Sequence, residues 1–86
     1  MKWTTYSFVI RGKTRKKIFL ALENPKTPSQ MAAELKVSTT HVSRALKELS
    51  DKGLVKCLTP AEKFGRIYHL TGTGKKLLDV FKRMEK

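Results

Sequence analysis

Acidic residues are scarce in this chain of 86 residues: seven Asp and Glu stand against nineteen Lys and Arg, which leaves a formal charge of +12 and a pI near 10.2. So few carboxylates offer no paired acid and base, and no nucleophile lies beside a general base, so an enzyme is the least expected class. The cationic excess favours a polyanion as partner, because contact with phosphates releases condensed counterions. Nucleic acid is the first candidate, and a merely soluble basic surface is the plain alternative. Cysteine is nearly absent as well. Cys57 alone excludes an internal disulfide framework and any four-cysteine zinc site, and it reads as a small core residue in a strand, with an intermolecular thiol bridge as the alternative. His41 and His69 lack the spacing of a metal pair and have no nearby carboxylate ligands, so no metal and no cofactor are expected. Long apolar runs are missing too: Ile18 to Leu22 falls far short of the ~20 residues of a membrane span. A cytoplasmic protein with no membrane contact is expected.

Phosphate-cradling glycine motifs fail in the same way. Gly12-Lys13-Thr14 ends like a P-loop, but Ser7 occupies the position that needs glycine, and Phe8, Val9 and Ile10 make a poor cradle. Gly72-Thr73-Gly74-Lys75 fails the same test.

What is present centres on Ser38 to Gly53. Val42, Ala45, Leu46 and Leu49 fall at i, i+3, i+4 and i+7, one face of a helix, while Thr40, Ser43, Arg44 and Lys47 occupy the other. Ser38 is a natural N-cap and Gly53 a natural stop, since glycine tolerates the left-handed conformation that ends a helix. Before it, Thr27-Pro28-Ser29-Gln30 spells a capping box with proline at the first helical position, followed by Met31, Ala32 and Leu35 on one face. Only Lys36 and Val37 separate this helix from Ser38, and two short helices joined so tightly cross steeply, as in a helix-turn-helix.

The flanks read as support. Met1 to Ile10 carries Trp3, Tyr6, Phe8, Val9 and Ile10 with few helix signals, and its aromatics pack either on the core or across a dimer interface. Arg11 to Glu23 reads as one helix with Ile18, Phe19 and Leu22 inward, ended by Asn24-Pro25. Its cations Lys13, Arg15, Lys16 and Lys17 either graze a phosphate backbone or form a solvated face. After Gly53 the pattern turns to strands, Leu54 to Leu58 and Arg66 to Leu70, joined by a loop of about seven residues tipped by Lys63. This hairpin reads as a basic wing in preference to a simple core cap. Thr71 caps a last helix from Gly72 to about Glu85, with Leu77, Leu78, Phe81 and Met84 as its stripe, part of which is available to a second copy of the chain.

The order helix, capped helix, polar-faced helix, strand, basic turn, strand, helix resembles the small winged helix-turn-helix transcriptional regulators of the MarR-like and ArsR-like kind, of archaeal type. TPSQMAAEL (27–35), STTHVSRALKEL (38–49), Lys52 to Val55, and IYHLTGTGKKLL (67–78) carry the resemblance. It implies an α+β, mostly α fold: one winged helix-turn-helix domain over residues 1–86, with a three-helix core, a two-stranded wing and a C-terminal helix. The helix-turn-helix spans about 27–53, the wing about 54–70 and the last helix about 72–85. It further implies sequence-specific binding of double-stranded DNA by a homodimer, with helix 38–52 in the major groove and the wing on the backbone or minor groove. Thr39, Thr40, His41, Ser43, Arg44 and Lys47 are then the groove-facing set, with Arg44 reading a base through guanine O6 and N7 and the hydroxyls on phosphates, and Ser38 at the helix start is a further DNA-binding residue. Thr27 and Ser29 are expected on phosphates, the wing cations Lys63 and Arg66 on a phosphate or in the minor groove, and His69 in a structural role. Cysteine-bearing or acidic metal-sensing clusters are lacking, and extra dimerisation helices that hold small molecules are largely lacking, so neither property carries over. RNA binding and protein interaction are the alternatives the same fold allows.

Overall fold

The computed structural model describes residues 3–63 and 65–84, except for the side chain of Trp3. Five helices and a two-stranded antiparallel sheet follow one another as α1 (Trp3–Arg11), α2 (Lys13–Ala21), α3 (Pro28–Leu35), α4 (Thr39–Asp51), β1 (Val55–Cys57), β2 (Tyr68–Leu70) and α5 (Gly72–Met84). This is the expected winged helix with one helix more.

The additional helix is a correction to the reading of the N-terminus. The stretch with few helix signals is helical because tertiary contacts supply what propensity lacks. Val9 is fully buried, Tyr6 and Phe8 pack against the core, and the Tyr6 ring stacks on Phe81 with centroids 4.9 Å apart. Ile10 faces outward, 42% exposed. The part of the expectation that concerned the Trp3 side chain lies outside the described residues. A second correction follows from the first. The helix expected from Arg11 to Glu23 is broken at Gly12, whose backbone is extended (φ −103°, ψ 116°), so Arg11 ends α1 and Lys13 begins α2. Glycine is a poor helix former and marks the break.

The two capping signals form as read. Gln30 N–H donates to Thr27 Oγ1 (3.2 Å) and Thr27 N–H to Gln30 Oε1 (2.9 Å), so two free donors of α3 are satisfied reciprocally. His41 N–H donates to Ser38 Oγ (3.2 Å) at the start of α4. The turn between them holds Lys36 in the left-handed region (φ 55°), with Val37 N–H returning to the Ala32 carbonyl at 3.1 Å. At the end of α4, Gly53 has φ +72° and donates to Ser50, while Leu54 N–H reaches the Leu49 carbonyl. These two bonds are a Schellman closure, which turns the chain directly into β1.

The strands are shorter than expected. Val55 pairs with Leu70, Lys56 with His69 and Cys57 with Tyr68. Leu54 N–H serves the helix closure while its carbonyl accepts from Thr71 N–H (3.0 Å), and beyond the Leu58 N–H to Ile67 carbonyl bond (2.7 Å) the loop takes over, with Ile67 N–H donating to Thr59 Oγ1 (3.0 Å). Lys26 forms a bridge with Tyr68, with N–H to carbonyl bonds of 3.0 and 2.8 Å, which ties the α2–α3 connection to the wing base. Cys57 is half-buried and free, not a core residue. His69 Nε2 lies 3.3 Å from the Glu23 carbonyl, in keeping with a structural role.

Thr71 starts α5, accepting from Gly74 N–H (3.1 Å) and donating to the Gly53 carbonyl (2.6 Å). The core joins Val9 of α1, Ile18 and Phe19 of α2, Met31 of α3, the α4 stripe, Leu54, Val55 and Leu70 around the sheet, and Leu77, Leu78 and Phe81 of α5. Met84, read as part of the last stripe, is 54% exposed. No polar or charged residue is buried among the described residues. The core thus holds α4 by its apolar stripe and leaves the opposite, polar side outward.

Candidate nucleic-acid interface

Burial of Val42, Ala45, Leu46 and Leu49 fixes the rotation of α4 about its axis. Thr40, Arg44, Lys47 and Asp51, at i, i+4, i+7 and i+11, therefore run down its outward side, and all four are exposed. Thr39, His41 and Ser43 are exposed beside them, and Ser38, also exposed, sits at the helix start with its hydroxyl engaged as the cap. Arg44 and Lys47 have no ion-pair partner among the described residues. Their charge is free for an external anion.

Two grooves flank this helix. On the wing side, a groove of about 280 Å³ gathers Thr27 and Ser29 from the start of α3, Ser43 from α4, and Lys63, Gly65 and Arg66 from the wing. Five of the residues singled out from sequence thus meet in one place, although they come from three segments. Thr27 Oγ1 already accepts from Gln30 N–H, but its own proton is still available to a phosphate oxygen. Gly65 has φ +66°, and Arg66 Nε donates to the Glu62 carbonyl (2.6 Å), which holds the tip of the wing in shape.

On the opposite flank, His41 and Arg44 line a groove of about 220 Å³ together with Gly12, Lys13 and Thr14 at the start of α2. Arg15 and Glu48 close it, joined by an ion pair of 2.9 Å. The Arg15 guanidinium also donates to the Phe8 carbonyl and lies 3.9 Å above the Phe8 ring, so one side chain links α1, α2 and α4. Lys52 approaches the same ring at 5.2 Å. Ser38, Thr39, Thr40 and Lys47 line neither groove.

Sequence reasoning missed the Arg15–Glu48 link and the second groove. The partners lie 33 positions apart on separate helices, and no local pattern relates them. The break at Gly12 was the one available signal. Among the described residues no group of three His, Cys, Asp or Glu could hold a metal ion, and no helix is long and apolar enough to cross a membrane.

Comparison with known proteins adds to this geometry. Residues 3–86 match the family model described as the HVO_A0261 N-terminal domain. No curated protein matches the chain. Among solved structures, the reduced form of the transcriptional regulator YodB from B. subtilis superposes with a TM-score of 0.79 at 24% identity, over 95% of this chain and 83% of that one. The reduced form of MarR from E. coli gives 0.69 at 26% identity, over 78% and 52%. A variant of Lactococcus lactis ZitR gives 0.75 at 24% identity, over 84% and 51%. The chain therefore spans about half the length of the ZitR and MarR chains it matches.

Proposed function

Because the chain belongs to the HVO_A0261 N-terminal domain family and has the fold of MarR-like winged-helix regulators, we propose that it is a sequence-specific double-stranded DNA-binding transcriptional regulator. In this reading the 38–52 helix enters the major groove, and the wing contacts the backbone or minor groove. It acts as a homodimer in the cytoplasm, without catalysis, and residues 1–86 form a single domain.

The observation that carries the reading is the outward side of α4, where Thr40, Arg44 and Lys47 stand exposed with both cations unpaired among the described residues. An α-helix with its side chains is about 10–12 Å across and the B-DNA major groove about 12 Å wide, so a helix anchored along its apolar stripe presents an opposite face that fits. The wing-side groove adds hydroxyl and cationic donors beside it, the type of group that contacts phosphates and fixes register. The family relation and the charge of +12 both favour DNA over a protein partner.

Selection of fragmented genomic DNA by the purified protein at ~0.2 M salt tests this, because purely electrostatic contacts are strongly weakened there. The expected outcome is enrichment of a few fragments that share an inverted repeat. Recovery of no sequence above background, with structured RNA competing better than duplex DNA at equal salt, would overturn it.

A further inference from the structure

We propose that the groove on the α2 flank of α4 is a second DNA-backbone site, where Lys13 and Thr14 bind a phosphate of the strand opposite to the one met by the wing. This rests on the reading of α4 as the helix that enters the major groove. Four observations point to a phosphate there.

The first is position. His41 and Arg44 belong to α4 and line this groove, so a duplex seated on α4 necessarily passes over it. The second is charge. Lys13 and Arg44 stand at the opening, and the one carboxylate in its lining, Glu48, is already neutralised by Arg15 at 2.9 Å. Lys13 is exposed and has no ion-pair partner among the described residues. The third is geometry. A helix about as wide as the major groove faces one phosphate backbone on each flank. The wing-side groove, with Ser43, occupies one flank and this groove, with His41, the other. The fourth is local. The chain breaks at Gly12, and no side chain caps the first turn of α2, so its free backbone N–H groups and the Thr14 hydroxyl supplement the cations. A Cβ at Gly12 would lie 3.0 Å from Arg15 Cβ, so the glycine also lets Arg15 stay close to the break.

The two flanks then clamp the two strands on either side of α4, and the helix is centred by backbone contacts from both. Lys13 supplies charge without base readout, so its effect is independent of sequence.

The test uses the full chain and a fluorescent 24-base-pair duplex of mixed sequence, titrated by anisotropy between about 0.05 and 0.2 M salt, the range over which counterion release is read. Lys13→Gln should make the slope of log K against log salt shallower by about 0.9, a change of about threefold in the ratio of affinities at the two ends. Lys13→Arg should keep the parent slope. Lys76→Gln, exposed on α5 and lining neither groove, is the charge-matched control and should retain the parent slope. Melting temperatures of all variants establish that each is folded. If Lys13→Gln and Lys76→Gln behave alike while Arg44→Ala still weakens binding, the second backbone site is overturned and the DNA-binding reading stands. If the parent protein fails to bind the duplex at all, both are overturned together.

Discussion

Arg44 and Lys47 sit one helical turn apart on the exposed side of α4, yet they are expected to differ in what they read. A guanidinium matches guanine O6 and N7 in a bidentate fork, whereas an ammonium is a point charge suited to a phosphate. Replacing Arg44 by Ala should cost about 1–3 kcal/mol at a cognate site and relax preference at one base pair, as measured by competition among single-base variants of that site. A uniform loss on every sequence would make Arg44 a phosphate clamp. Lys63, at the wing, tests the converse. Lys63→Ala should weaken all duplexes alike and lower the salt slope by about 0.9. A change in base preference would instead show that the wing reads the groove floor.

The helices and strands owe their stability to different things. Helix α4 is capped by Ser38, closed at Gly53 and pinned by four buried side chains, so loss of one cap is tolerated: Ser38→Ala should cost about 1 kcal/mol in chemical denaturation. Helix α5 tolerates much less at its first turn. A Cβ at Gly74 would fall 2.1 Å from the Leu54 backbone oxygen and 3.2 Å from Leu70 Cβ, and neither neighbour can retreat without moving β1 or β2. Gly74→Ala should therefore cost about 1–3 kcal/mol or more, the scale of an overpacked core, and lower the melting temperature well beyond Ser38→Ala. Because Leu54 also closes α4, this damage should reach DNA binding as well as stability. The sequence Gly72-Thr73-Gly74-Lys75, unconvincing as a phosphate loop, is thus a close approach of helix to strand.

At the scale of the whole molecule, the proposed dimer predicts a spacing. Two copies of α4 related by a two-fold axis ask for inverted half-sites about 34 Å apart, one turn of DNA. Inserting five base pairs between half-sites of a selected fragment should abolish tight binding, because it rotates one half-site to the opposite side of the duplex; ten inserted pairs restore the face but not the distance. Equal affinity for all three spacings in a gel-shift titration would leave each copy binding alone. Stability is limited in a chain of this size, as a small domain carries only about 5–15 kcal/mol. The Phe19 ring is fully buried with its centroid 5.5 Å from that of Phe81, so Phe19→Ala should cost about 3–5 kcal/mol, a large share of that total, read as a lower midpoint of chemical denaturation.

Sequence alone determined what depends on neighbours along the chain. The capping box at Thr27, the Ser38 cap, the stripe of α4 and the stop at Gly53 are local hydrogen-bond and periodicity signals, and each formed where its residues stand. The family resemblance and the polar side of α4 were legible for the same reason. Tertiary structure decided what depends on distant partners. Trp3–Arg11 became helical by packing Val9 and Tyr6 against a core built from later segments, and the strands shortened because Leu54 and Thr59 form other bonds. It also decided the company each candidate residue keeps. Thr27, Ser43 and Lys63 share one groove while Arg44 and His41 share another with Lys13, because the rotation of α4 and the break at Gly12 are set by burial across the whole fold. A helix pattern specifies which face is buried, but only the assembled core specifies what stands on either side of the face left exposed.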